Sequence, residues 1–169
     1  MSTQGFRPKI DPQLLGVNIT NRATTTEATV GQRKLRFRLS KEVFRHEGKH
    51  PELKDKAIVP DVLLQPHNAS LEFAFYESDK FPAEYKGDIF AAEHGSWNKA
   101  TRVGYEVIRI PLHQSGHASG EYEDFLTGFV LPNGQVWGRP VGITLAPDGS
   151  LLVSDDGSNS IWRVSYTGK

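Results

Sequence analysis

The chain has 169 residues, 37% of them hydrophobic, with 16 glycines, 10 prolines, no cysteine, and 20 basic residues balancing 20 acidic ones. That length suits one domain, or one and a small appendage, and the composition suits a turn-rich globular protein rather than a fibrous or disordered one. Zero net charge gives no global field for nucleic acid or an anionic membrane, and the lack of cysteine excludes disulfides, thiolate metal sites and cysteine nucleophiles.

No window approaches the roughly 18 apolar residues of a membrane span, and Met1 to Arg7 lacks the apolar centre of a signal peptide, so the chain reads as soluble with no export address. Residues 1–45 stay unassigned. Within them Arg33-Lys34-Leu35-Arg36-Phe37-Arg38-Leu39 alternates basic and apolar side chains, the pattern of a solvated edge strand. His46 to Lys56 reads as an exposed loop. From Ala57 onward the pattern is all-β: an apolar run to Leu64 broken by Pro60, then predicted strands at Leu71–Tyr76, Ile89–Ala92, Tyr105–Ile110, Phe125–Val130, Val141–Leu145, Leu151–Ser154 and Ile161–Tyr166. Phe81 to Asp88 is a long turn, His113 to Gly120 a polar connection, Pro132-Asn133-Gly134 a turn, and Ala146-Pro147-Asp148-Gly149 a tight turn with Pro setting φ and Gly supplying positive φ.

Two of these units nearly repeat. Gly87-Asp88-Ile89-Phe90-Ala91-Ala92-Glu93-His94-Gly95-Ser96 returns as Gly149-Ser150-Leu151-Leu152-Val153-Ser154-Asp155-Asp156-Gly157-Ser158, and in each a further strand follows. A sheet unit used twice, three antiparallel strands with room for a fourth outer one, favours a β-propeller over a sandwich or barrel. Propellers close with four to eight blades, so the expected fold is a partial propeller of about two to three blades, carried by residues 46–169.

Pro60-Asp61-Val62-Leu63-Leu64-Gln65-Pro66-His67-Asn68-Ala69-Ser70-Leu71, the Gly87 to Asn98 run with its His94-Gly95-Ser96-Trp97-Asn98 stretch, Gly138-Arg139-Pro140-Val141-Gly142 and Ser154-Asp155-Asp156-Gly157 resemble the C-terminal part of the pyrroloquinoline quinone (PQQ)-dependent sorbosone and aldose sugar dehydrogenases. The resemblance runs from about Gly48 to Lys169. It implies a six-bladed propeller whose quinone lies over the channel mouth and accepts electrons from a sugar, in full-length relatives expected to be periplasmic or secreted. It also implies that the general base, a histidine from an early blade, lies outside the matched region, so the chain is expected to bind rather than turn over. Calcium is possible, with no site apparent.

Charge and topology then select candidate cofactor-binding residues. A tricarboxylated quinone needs fixed donors, because desolvated carboxylates are costly without partners. Arg139 stands just before the innermost strand of its repeat, where its planar fork suits a carboxylate, or where it fixes blade-to-blade packing. His94 opens a loop on the same face, as a cofactor contact or a turn cap. The Ser96 to Gly104 loop is longer than its counterpart, and offers Trp97 for stacking or for plugging a gap, with Asn98, Lys99 and Arg102 as donors. His113 and His117 lack a helix face and an accompanying Glu for zinc, and Asp155-Asp156-Gly157-Ser158-Asn159 reads as a hydrogen-bonded turn sooner than a calcium loop. No phosphate loop, nucleophile elbow or DNA-reading helix occurs, which removes kinase, hydrolase and transcription-factor classes. Two other outcomes stay open: a non-catalytic binding module whose ring is completed by oligomerisation or another chain, and a product whose uncovered sheet edges prevent stable folding.

Overall fold

The structure, a computed structural model, describes residues 9–10, 17–21 and 60–168. The strand expected at 33–39, the loop at 46–56 and the start of the apolar run lie outside these residues. The described strands are β1 (Lys9–Ile10), β2 (Val17–Asn21), β3 (Ser70–Phe75), β4 (Ile89–Glu93), β5 (Glu106–Ile110), β6 (Glu123–Thr127), β7 (Pro140–Leu145), β8 (Leu151–Asp155) and β9 (Ser160–Tyr166). They form two antiparallel sheets, ordered β1-β6-β5-β4-β3 and β2-β9-β8-β7. Among the described residues the sole helical element is a single 3-10 turn at Ala83–Tyr85, so the fold is all-β, and each sheet is one blade of a partial propeller.

Both blades form as the repeat predicts. Each second strand pairs in register with the third, Ile89 with Ile110 and Glu93 with Glu106 in the first blade, Leu151 with Val164 and Asp155 with Ser160 in the second. The Ala146 to Gly149 turn closes with Gly149 N donating to Ala146 O at 2.9 Å. The fourth strands differ in origin. β6 follows directly in the first blade, whereas β2, from near the start of the chain, closes the outer edge of the second by pairing Val17 with Tyr166 through Asn21 with Trp162. Long-range pairing of this kind leaves no local signal in the sequence.

The strand expected at Phe125–Val130 begins two residues earlier and ends at Thr127. Gly128 takes a φ of +92°, which a continuing strand does not use, and Val130 instead bridges Val136 across the Pro132-Asn133-Gly134 turn. His113 and His117 close another hairpin, His113 N donating to His117 O at 2.9 Å, with both side chains exposed.

The blades pack face to face through an aromatic core. Phe90 and Phe125 meet edge to face at 4.6 Å, Tyr76 stacks on Phe81 at 4.7 Å, and these join Leu151, Val153 and Trp162 from the second blade. Phe90 lies in this core because strand alternation turns Phe90 and Ala92 to one face and Ile89 and Ala91 to the other, where Val62, Leu64, Ile108 and Ile110 form a second cluster. Hydrogen bonds also cross the seam: the Tyr76 hydroxyl donates to Gly149 O at 2.8 Å, and Ile143 N of β7 donates to the Glu72 carboxylate of β3 at 3.1 Å. Truncating Phe81 to Ala should therefore cost about 3–5 kcal/mol, since the ring packs on Tyr76, Phe90 and Phe125 of the first blade and on Tyr166 of the second and its removal leaves a cavity. Urea unfolding monitored by tryptophan fluorescence checks this, and a loss under 1 kcal/mol would mean that the blades are not coupled through this ring.

Candidate binding cleft at the blade ends

β4 and β8 finish, and β3 and β7 begin, at the same end of the molecule, so the loops from Pro66, His94, Trp137 and Asp156 share that end. Arg139 is fixed from both sides: its backbone N–H donates to Asp155 Oδ1 at 2.7 Å and its carbonyl accepts from Asp156 N at 3.2 Å. Its Nε donates to Asp156 Oδ1 at 2.8 Å, and His94 Nε2 sits 3.2 Å from both oxygens of the same carboxylate. The two leading sequence candidates thus converge on Asp156, a residue that sequence reasoning placed as the positional counterpart of His94 and within the Asp155 to Asn159 turn, but not in the binding site. The signal was available in that equivalence, because equivalent loop starts on adjacent blades necessarily face each other.

The long loop is held by its own backbone. Ser96 N donates to Val103 O and Ser96 Oγ accepts from Val103 N, both at 3.0 Å. Arg102 Nη1 donates to Ser96 O and Trp97 O at 3.0 Å, and the Tyr105 hydroxyl also donates to Ser96 O. Gly95 is required here: it has a φ of +92° and lies so close on the Tyr105 ring that a Cβ would fall 2.4 Å from it. The result is a cleft of about 320 Å³ bordered by Trp97, Arg102, Tyr105, Val136, Arg139 and Gly157. Trp97 is 84% exposed, so its indole plugs no gap. Arg102 and Arg139 border the cleft, His94 stands behind Arg139 through Asp156, and Asn98 is exposed on the loop without lining the cleft.

Asp155 is engaged within its turn. Its buried carboxylate accepts from Arg139 N, from Ser158 N at 3.0 Å and Oγ at 2.6 Å, and from Trp162 Nε1 at 2.9 Å, which makes the Asp155 to Asn159 stretch a hydrogen-bonded turn. The corresponding residue of the first blade is Glu93, fully buried, whose Oε1 accepts from the Ser70 hydroxyl while Oε2 has no partner. Burial pushes its carboxyl up to about 7, against the pull of the Ser70 hydroxyl and the nearby Asn68 amide. Glu106, its cross-strand neighbour, is raised to about 8 by burial, then by Asp124 and by Glu93 itself. Sequence reasoning missed this corner, since two glutamates thirteen positions apart become neighbours only once β4 and β5 pair.

A five-stranded and a four-stranded antiparallel sheet packed face to face, with a cleft at their common end bordered by Trp97, Arg102 and Arg139, define a partial β-propeller. The chain belongs to the TrAA12-like family, whose model matches residues 18–167. The match starts inside the segment left outside the resemblance, at the strand β2 that closes the second blade. The chain is 32% identical over 127 residues to a pyrroloquinoline quinone-dependent pyranose dehydrogenase of Coprinopsis cinerea, an alignment covering 64% of this chain and 16% of that protein. It is 39% identical over 114 residues to an uncharacterized protein of Borreliella burgdorferi, covering 67% and 30%. In structure it resembles the holo form of the pyranose dehydrogenase PQQ domain from Coprinopsis cinerea, with a TM-score of 0.54 and 28% identity over 67% of this chain and 30% of that one. A calcium structure of a Trichoderma reesei carbohydrate-active enzyme of family AA12 shares the fold, with a TM-score of 0.55 and 21% identity over 68% and 29%. The chain spans about a third or less of these relatives, and no helix among its described residues is long and apolar enough to cross a membrane.

Proposed function

We propose that this chain forms the quinone-binding blades of a PQQ-dependent sugar dehydrogenase and binds the cofactor without turning over sugar by itself. The observation that carries the reading is the cleft: two guanidinium groups and one exposed indole border a single space, a donor set matched to a flat tricarboxylate. The chemistry of the residues fits the group. Gly157 borders this space and lies so close to the Gly138–Arg139 backbone that a Cβ would come within 2.9 Å of Arg139 N, so glycine lets the Asp155 turn pack tightly under Arg139.

When bound, the quinone supplies the two-electron acceptor for oxidation of a sugar hydroxyl. This chain's own residues bind and orient. Arg139, with Nε fixed by Asp156, presents its remaining nitrogens to a carboxylate. Trp97 offers a stacking face, Arg102 holds the loop that carries it, Asn98 adds a donor at the rim, and His94 helps Asp156 keep Arg139 in place. The family resemblance places the proton-accepting histidine on an earlier blade, which supports binding without turnover. Exposed Leu63 and Leu71 favour completion of the ring by further blades, from oligomerisation or another chain.

Mixing the purified chain with PQQ and following the quinone absorbance, alongside reduction of an artificial acceptor in the presence of aldoses, tests both halves. The expected outcome is saturable binding with no acceptor reduction. Turnover would overturn the missing-base argument, and absence of binding would overturn the cofactor reading.

A further inference from the structure

β4 and β5 are joined by the loop that borders the cleft, and the cross-strand pair at the base of that loop is Glu93 opposite Glu106. Like charges directly opposite each other on an antiparallel pair repel. Burial sharpens the conflict, since Glu93 is fully buried and Glu106 half-buried. Both side chains lie on the sheet face that carries Ala91 and Ile108, and Asp124 of β6 and Tyr122 just before it lie close by. The turn before β3 and the first residue of β3 contribute the Asn68 amide and the Ser70 hydroxyl, both neutral, while His67 is exposed. Among the described residues no Lys, Arg or His forms an ion pair with Glu93, Glu106 or Asp124. Glu93 Oε1 accepts from the Ser70 hydroxyl, and Oε2 has no hydrogen-bond partner. One proton on the pair removes the repulsion and gives a bare oxygen its hydrogen. Glu106 also meets Asp124 through a side-chain hydrogen bond, a contact that two carboxyl groups make only with a proton between them.

The loop is tied mechanically to this base. Just after Glu93, His94 N donates to Ala69 O at 3.0 Å and Gly95 N to Asn68 O at 2.7 Å, so the outgoing chain hangs on the turn beside the buried carboxyl. Just before Glu106, Tyr105 takes a φ of +60° and lays its ring against Gly95. A non-glycine residue keeps such a backbone only where its surroundings hold it. Gly104, at φ +70°, lies so close to the other side of the base that a Cβ there would stand 3.0 Å from Gly95 Cα. The two ends of the loop therefore touch, and the loop between them carries Trp97 and Arg102 to the cleft.

We propose that the Glu93–Glu106 pair is a proton-operated latch at the base of the cleft loop: while the pair holds a proton the base stays closed and Trp97 and Arg102 border the cleft, and loss of that proton lets the base part and the loop swing away. In the closed loop Glu93 keeps its proton up to about 7, mainly because burial disfavours the charged form, whereas a carboxyl turned out to water releases it near 4.5. The closed form thus holds a proton that the open form has lost, so closure is favoured at low pH and weakens as pH climbs through 7. Glu106, raised to about 8 by burial and then by Asp124, extends the change in the same direction. The consequence for the quinone, weaker binding at alkaline pH, rests on the cofactor reading above. The movement of the loop does not.

Amide hydrogen exchange of the full chain, without quinone, reads the loop directly. Corrected for intrinsic exchange rates, protection of the Ser96 and Val103 amides should fall about 10-fold between pH 6 and pH 8 from Glu93 alone, the change implied by one proton held to about 7 in the closed form and to 4.5 in the open one. The loss should be unchanged by dilute urea, which marks local opening rather than global unfolding. Glu93→Gln should remove most of the slope. Glu106→Gln, at a half-buried position less prone to folding defects, should reduce it. His94→Gln should leave the slope in place, because His94 bonds to Asp156 on the cleft side. Protection that does not change with pH, an equal slope in Glu93→Gln, or a slope that vanishes in His94→Gln would each overturn the latch. The same slope in a chain that binds no PQQ at any pH would uphold the latch and overturn only the cofactor reading.

Discussion

Titration with PQQ should show Arg139→Met binding about 10-fold more weakly than the unaltered chain, a change of about 1.4 kcal/mol. Hydrogen bonds to charged groups contribute about 1.5–3 kcal/mol when desolvated, and the Arg139 side chain is 44% exposed, so solvent screening places the effect near the lower end. Arg139→Lys separates charge from shape. It retains the cation but loses the planar fork and the Nε contact to Asp156, so it should recover only part of the affinity. Asp156→Asn should also weaken binding, by less than Arg139→Met, because the carboxylate shared by Arg139 and His94 holds the guanidinium without touching the ligand. Quinone affinity unchanged in Arg139→Met would remove the cleft from consideration as the cofactor site.

The chain should lose stability as pH rises from 5 to 8, by about 2.5 kcal/mol from Glu93 alone. The folded-state pKa of Glu93, raised to about 7 from 4.5 mainly by burial, means that the folded chain keeps a proton that the unfolded chain has released. Stability from this group is fully present below pH 4.5 and is lost as pH climbs, the loss being complete once the folded value is passed. Glu106, raised to about 8 by burial and then by Asp124, extends the decline in the same direction. Urea midpoints measured at pH 5, 6, 7 and 8 should fall steadily for the unaltered chain, and Glu93→Gln should flatten the trend. A midpoint that holds steady or rises over this window would show that solvent reaches the corner and that Glu93 ionises at no cost.

Much of this architecture follows from short-range pattern. Glycine corners spaced two strands apart, apolar alternation from Ile89 to Ala92 and from Leu151 to Ser154, and the Pro147-Asp148-Gly149 turn each act over a few residues, so the two meanders and their strand boundaries are readable directly. The largest boundary difference was at β6, which starts at Glu123 and ends before Gly128, where an apolar run continues because Phe129 is buried and Val130 partly buried by a hairpin rather than by a ladder. For the cleft, the sequence supplied Arg139, Trp97 and Arg102, which the structure brings to one space, together with His94 behind them and Asn98 at the rim. It did not supply Tyr105, Val136 or Asp156, whose importance depends on which loops meet.

The amino-acid sequence alone determined that this is a repeated, glycine-cornered β protein, because turn chemistry and strand alternation are local and the repeat compares like with like; the likeness to quinone sugar dehydrogenases rested on its motifs, His94-Gly95-Ser96-Trp97-Asn98 above all. Tertiary structure alone decided three things: that β2 closes the second blade, that one carboxylate at Asp156 gathers Arg139 and His94, and that Glu93, Glu106 and Asn68 form a buried polar corner with unpaired atoms. The physical reason is common to all three. Each depends on contacts between residues far apart in the chain, whose free energy comes from burial and pairing that no local segment possesses before the sheets assemble.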